Sequence, residues 1–174
     1  MSHSIHLQPD ELSRLVVQAA TNAQTEGFWT GDGSAADDAA RHLTRYLGLM
    51  LGGDNDVSPH ELRIFWQICT AATGRDASDE ELLASVGDAV RVADDPDAVE
   101  EFLLTTPPFL RAVIAMDQQR GTRNAEQVVT ALSGLALAML AADGVAEVEE
   151  DAVFTTHLNH LRDELQALGL VSQD

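Results

Sequence analysis

The chain has 174 residues, 45% of them hydrophobic and 5% aromatic, so it is long enough for one domain with a proper core. Its 29 acidic and 10 basic residues give a formal net charge of -19, and every basic residue is an arginine. This charge excludes nucleic acid as a partner and argues against an anionic membrane surface, while the absence of lysine excludes Schiff-base and phosphate-loop lysines. Cations or a partner with a basic surface are the favoured ligands, although acidity also serves solubility alone.

Cysteine content and hydropathy indicate a cytoplasmic protein. Cys69 is the only cysteine, so no internal disulfide can form and a reducing compartment is compatible. Residues 1–10 are polar and lack the regions of a signal peptide. The most apolar stretch, Ala131 to Ala142, is expected to be too short to cross a membrane. Nothing in the sequence indicates an oligomeric state.

Helical periodicity predicts the elements of the first half in chain order. A helix begins at Pro9, and a Gly-rich loop over residues 25–37 follows it. In that loop we expect Phe28 and Trp29 to pack on the bundle rather than to contact a partner. The next two helices show apolar faces. These faces comprise Leu43, Leu47, Met50 and Leu51, which precede Gly52-Gly53, and then Leu62, Phe65, Trp66 and Cys69.

The second half continues with helical patterns only. A helix starts near Asp79, and a short one follows Pro96. Pro107-Pro108 predicts an extended corner before a buried helix from Phe109 to Met116. A long apolar helix over residues 122–142 is expected to be central, and the last helix runs from about 148 to 168. The last helix carries the apolar stripe Phe154, His157, Leu158, Leu161, Leu165 and Leu168.

These patterns predict an all-α, single-domain bundle of about seven to eight helices in two pseudo-symmetric halves. Residues 1–35 would supply an N-terminal helix and the Gly-rich loop, and residues 36–174 the main helical domain, within one compact unit. The two halves are suggested by an internal repeat. Placing Asp54 on Asp143 aligns Leu43 with Leu132, Leu51 with Leu140, Asn55 with Gly144, Glu61 with Glu150 and Phe65 with Phe154.

Matched carboxylates are the candidate site. In each half an Asp follows one helix and a Glu opens the next, which gives the pairs Asp54 with Glu61 and Asp143 with Glu150. If the halves pack about a pseudo-twofold axis, these four carboxylates could converge, and Asp56, Glu147 and Glu149 could join them. Hard oxygen ligands of this kind suit a divalent cation such as calcium.

A purely structural interpretation of the same acids also stands. Ser58 and Glu61 fit a capping box with Pro59 at the first helical position, and Glu147 and Glu150 are favourable beside a helix N-terminus. The segment is not an EF-hand, because Pro59 occupies the sixth loop position, where glycine is required.

One segment carries a family resemblance. Leu137-Ala138-Met139-Leu140-Ala141-Ala142-Asp143-Gly144-Val145 resembles the signature of the tellurite-resistance TerB-like family, in which an apolar helix ends in Asp-Gly and a Glu opens the next helix. The segment from Asp54 to Glu61 is similar to the family's other copy, with Asn55 where glycine is usual. The resemblance covers about residues 36–168. It implies an all-α bundle of two pseudo-symmetric halves, acidic metal-binding residues, and a link to tellurite resistance or stress responses.

Two functions remain open, and neither is enzymatic. The first is a binding module for a divalent cation, and the second is an acidic interaction scaffold that docks a basic protein partner without metal. A carboxylate hydrolase is disfavoured, because no nucleophile or oxyanion device accompanies the acids. His157 and His160 could form a metal pair, but a core role for His157 is favoured by its place in the apolar stripe. Cys69 is expected to be a small core hydrophobe.

Overall fold

The computed structural model describes residues 8–51, 57–74, 78–143 and 148–171. These residues form α-helices and no strand, which confirms the predicted all-α class. The described helices are α1 (Pro9–Thr25), α2 (Ala35–Leu51), α3 (Pro59–Thr73), α4 (Asp79–Ala93), α5 (Pro96–Leu103), α6 (Pro108–Arg120), α7 (Asn124–Asp143) and α8 (Val148–Ala167).

Helix α2 is the hub of the bundle. It contacts α1, α3, α4, α6, α7 and α8, and most of its residues from His42 to Leu51 are buried. One continuous apolar core joins its side chains to those of α1, α3, α6, α7 and α8. Because α1 contributes to this core, the described helices form a single domain. The largest side chains in the core include Tyr46, Phe65, Phe109, Leu43, Leu47, Met50, Ile68 and Leu132.

The start of α3 confirms the predicted capping box and corrects one core residue. Ser58 Oγ accepts from the backbone N–H of Glu61 at 3.2 Å, and the backbone N–H of Ser58 donates to Glu61 Oε2 at 2.7 Å. Leu62 was predicted to be buried, but it is 42% exposed. Glu61 instead takes the inward position in the first turn, because it lies one turn before Phe65 on the stripe that continues through Ile68.

The Gly-rich loop packs on the bundle, as predicted. Phe28 and Trp29 are partly buried against the core, and Trp29 Nε1 donates to the carbonyl of Gly33 at 3.1 Å. A Cβ at Gly31 would stand 2.5 Å from the Trp29 ring, so the indole packs directly against this glycine and would have to shift for a larger residue.

Helix α7 is long and apolar enough, between Asn124 and Ala142, to cross a membrane by length and composition alone. The expectation based on the shorter stretch from Ala131 therefore understated its length. Its side chains Val128, Leu132 and Leu135 are buried in the core, and the helix contacts α1, α2, α3, α6 and α8. Within the apolar window 44% is buried in the protein, and Leu137 is 54% exposed.

A buried carboxylate joins α6 to α7. Asp117 is fully buried and accepts hydrogen bonds from the Thr122 hydroxyl at 2.5 Å, the Asn124 amide at 2.8 Å and the Ala125 backbone N–H at 2.7 Å. The last of these bonds satisfies a backbone donor in the first turn of α7. Asp117 thus fixes the direction in which the central helix leaves the preceding turn.

We expect Asp117→Ala to lower the free energy of unfolding by about 2–4 kcal/mol, because it removes a charge-assisted cap and leaves buried donors without an acceptor. Asp117→Asn keeps one acceptor oxygen and should cost less. Urea denaturation measures both values, with Asp32→Asn on the exposed loop as the control. A loss below about 0.5 kcal/mol for Asp117→Ala would show that the carboxylate is dispensable.

Candidate functional site

Most of the predicted cation ligands lie outside the described residues. Asp54, Asp56 and Glu147 fall in ranges that the structure does not describe, and Asp143 and Glu150 belong to α7 and α8 with side chains outside the description. Among the described side chains, no group of three or more His, Cys, Asp or Glu is arranged to hold a metal ion. The six-residue cation site therefore stays a prediction.

Glu61 is the one predicted ligand whose side chain is described. It is 3% exposed, and its Oε2 accepts from the backbone of Ser58 in the capping box. The structural role that the sequence suggested for Glu61 is confirmed. The carboxylate that was predicted to bind a cation is therefore the buried one that already caps α3.

The relative direction of α2 and α8 shows which of their ends lie at the same end of the bundle. His42 of α2 contacts His157 of α8, and one turn later the Tyr46 hydroxyl donates to the carbonyl of Phe154 at 3.4 Å. Since the α2 numbers rise as the α8 numbers fall, the two helices are antiparallel. The last turn of α2, at Leu51, and the first turn of α8, at Val148, therefore point to the same end of the bundle.

Two histidines form a buried hydrogen-bonded pair at the α2–α8 contact. The Nε2 atoms of His42 and His157 are 3.1 Å apart, and His157 Nδ1 is 2.9 Å from the carbonyl oxygen of Leu103. The rings of Tyr46 and Phe102 lie beside both imidazoles, with centroids 5.1–6.3 Å from them. Tyr46 and Phe102 thus form aromatic walls beside the pair, whose hydrogen bonds described above are made within the protein.

The Leu103 carbonyl determines the tautomer of both rings. A carbonyl only accepts, so His157 Nδ1 carries a proton and donates to it. In a neutral His157 the Nε2 atom is then an acceptor, and His42 Nε2 must donate to it. The remaining ring nitrogen, His42 Nδ1, is left as an acceptor.

Burial favours the neutral form of both histidines. The pKa of His42 is lowered well below its ordinary value, first by burial and then by the nearby His157 and Arg45 charges. Burial also lowers the pKa of His157, which the hydrogen bond to Leu103 partly offsets and His160 lowers further. Neutral imidazoles are the forms that burial favours, and the hydrogen-bond directions given above apply to that state.

The structure confirms the predicted core role of His157 and does not pair it with His160. His157 is fully buried against His42, whereas His160 Nε2 lies 3.3 Å from the Thr106 hydroxyl, which also donates to Glu164. His42 was not predicted as a functional residue from the sequence. Its signal was its position on the buried face of α2, one turn before Tyr46 and beside Leu43.

Cys69 is a core side chain, as predicted. It is 4% exposed, and its sulfur lies 3.6 Å from the Thr44 hydroxyl. Burial raises the pKa of the thiol to about 11, against a smaller lowering by Thr44. A thiol with such a pKa is a poor nucleophile near neutral pH.

A cleft opens beside the histidine pair. It has a volume of about 440 Å³ and lies between α2, α4, α5 and the corner that leads into α6. His42 is at its buried side, and Arg41, Arg45 and Glu101 are its exposed charged groups. No family model, curated protein or solved structure matches the chain. The TerB-like resemblance therefore rests on its sequence segments.

We expect the free energy of unfolding to fall as the pH drops below about 6.5, the ordinary pKa of histidine. Because the folded-state pKa values of His42 and His157 are lowered, the unfolded chain binds protons that the folded chain does not. Each histidine contributes a slope of up to about 1.4 kcal/mol per pH unit, which ends once the pH reaches its lowered folded-state pKa. Urea unfolding between about pH 8 and pH 5 measures the slope.

The double variant His42→Gln with His157→Gln should lose this slope even if it is less stable at every pH. His60→Asn is the matched control, because His60 is exposed at the start of α3. An acid slope of the same size in the double variant and the parent would mean that other groups are responsible.

Proposed function

We propose that this protein is a non-enzymatic binding module for a divalent cation such as calcium, held at the end of the bundle where its two interrupted hairpins meet. The antiparallel register of α2 and α8 carries this proposal. It supports a common location for the segments that follow Leu51 and precede Val148, since both helix ends point the same way. These segments contain Asp54, Asp56 and Glu147.

Charge and residue type favour a cation there. The chain has a formal net charge of -19, so its field attracts cations to any concave acidic surface. Asp143 at the end of α7 and Glu150 in the first turn of α8 would add carboxylates beside the same segments. Oxygen ligands from carboxylates favour calcium, magnesium or manganese over softer metals.

Three reactive side chains that the structure describes have structural uses, which supports binding rather than catalysis. Cys69 is packed in the core with a raised pKa. Glu61 is engaged in the cap of α3, and Asp117 in the cap of α7. A link to tellurite resistance or stress responses is part of the proposal through the TerB-like segment from Leu137 to Val145.

Calorimetric titration with calcium, magnesium, manganese and zinc tests the proposal. We expect heat of binding with at least one of the harder cations, because several carboxylates would replace its water ligands. Asp54→Asn with Asp143→Asn should weaken that binding at least about tenfold, since each hairpin then loses one charged ligand.

The control is Asp32→Asn with Asp163→Asn, which removes the same charge from exposed positions elsewhere and should leave the affinity nearly unchanged. Heat that disappears equally in both double variants would indicate diffuse counterion attraction instead of a site. If no cation binds, and neutralising the acids abolishes capture of a basic protein partner, the acidic scaffold is the correct function.

A further inference from the structure

The cleft beside the histidine pair has the size of a small-molecule site. Its volume of about 440 Å³ falls within the range of roughly 300–1,000 Å³ that ligand pockets occupy. Four separate parts of the fold supply its walls: α2, the end of α4, α5 and the Pro107-Pro108 corner. Apolar groups line much of it, namely Val92, Ala98, Phe102, Pro107 and Pro108.

The cleft is lined by two carboxylates and two arginines, and one carboxylate already forms an ion pair with one arginine. Asp38 Oδ2 accepts from the backbone N–H of Phe109 at 3.0 Å, and its Oδ1 is 3.6 Å from Arg41. This carboxylate therefore serves the start of α6 and neutralises one of the two arginines. The charges of Asp38 and Arg41 are accounted for without any ligand.

The other two charged groups in the cleft lack a partner. Among the described residues, no carboxylate lies within ion-pair distance of Arg45, and no cationic group within that distance of Glu101. The guanidinium of Arg45 lies over the Phe102 ring, 5.9 Å from its centroid. Arg45 and Glu101, which have no ion-pair partner among the described residues, thus line the same cleft.

The buried side of the cleft supplies a hydrogen-bond acceptor. His42 is 8% exposed and lines the cleft, and its Nε2 donates to His157. The described residues provide no hydrogen-bond partner for His42 Nδ1, which the tautomer leaves as a lone-pair acceptor. The only fully buried side-chain N or O atom without a partner among the described residues is Thr70 Oγ1, so His42 Nδ1 is not sealed in the core and can accept from a ligand or water in the cleft.

We propose that the cleft binds a small zwitterion with an apolar body, of the chemical class of a free amino acid or a short peptide. Its carboxylate would pair with Arg45, and its ammonium would pair with Glu101 and donate to His42 Nδ1. The apolar body would pack on Phe102, Val92 and the proline corner. This site is separate from the proposed cation site and uses none of its residues.

The charges of the cleft and of the whole chain select a zwitterion over simple ions. A plain anion would meet Glu101 as well as the repulsive field of a chain with a net charge of -19. A plain cation would leave Arg45 unpaired and would meet its like charge. A zwitterion carries no net charge into that field and satisfies both groups at once.

Titration calorimetry in buffer containing a chelator tests the proposal independently of any cation. The probes are phenylalanine, which has closely spaced charges, and leucyl-leucine, in which the charges are farther apart. We expect at least one of them to bind at concentrations up to about 10 mM. Its N-acetyl form, which lacks the ammonium, and its amide form, which lacks the carboxylate, should each bind at least about fivefold more weakly.

Two charge variants assign the groups. Arg45→Gln should weaken binding of the zwitterion about fivefold to tenfold while leaving the amide form nearly unaffected, and Glu101→Gln should do the converse with the N-acetyl form. Glu100→Gln, an exposed neighbour outside the cleft, and Arg14→Gln on α1 are the matched controls.

Each result decides the proposal. Selective loss with Arg45→Gln and Glu101→Gln supports it. Absence of binding by both probes, or equal binding of the zwitterion and its two blocked forms, would overturn it. Circular dichroism melts confirm that each variant is folded, so a negative result cannot be attributed to unfolding.

Discussion

The contact between α2 and α8 is the constraint on which the rest of this structure depends. At that contact the hydrogen bond between His42 and His157 and the packing of Tyr46 fix both the direction and the register of the two helices. The antiparallel direction places the last turn of α2 and the first turn of α8 at the same end of the bundle. The same contact forms the buried side of the cleft. This buried polar contact therefore links both proposed sites, because a shift in register would move the end of α2 and His42 together.

The helices themselves could be predicted because their causes are local. The stripe from Leu43 to Leu51 and the capping box at Ser58 appear within one stretch of sequence, and the structure has both. Leu62 was assigned to the core because periodicity identifies an apolar position without showing that Glu61 occupies the inward one. Contacts between helices, in contrast, do not follow from local sequence patterns. His42 and His157 are far apart in sequence, so no local pattern shows that they meet.

The cation site and the cleft also differ in whether a local sequence pattern reveals them. The cation site was proposed from acids that repeat at matched positions, which a sequence displays directly. The cleft was missed because its charged groups, Arg45 and Glu101, belong to helices that are distant in the chain and lack any shared motif. Arg45 and Glu101 are distinguished by having no ion-pair partner among the described residues. That property can be seen only in the three-dimensional structure. The strongly acidic composition favours cations as ligands, and it does not reveal a cleft that carries both positive and negative groups.

The corner between α5 and α6 has a consequence for backbone exchange with solvent. Pro107 and Pro108 have no amide hydrogen, and the next amide, at Phe109, is bonded to Asp38 of α2. The amide of Leu110 is in turn bonded to the carbonyl of Pro107. From 107 to 110 the backbone thus has no N–H free to exchange with deuterium without an opening event. One wall of the cleft is thereby held in place before any ligand arrives, and ordering it would add no entropic cost to binding.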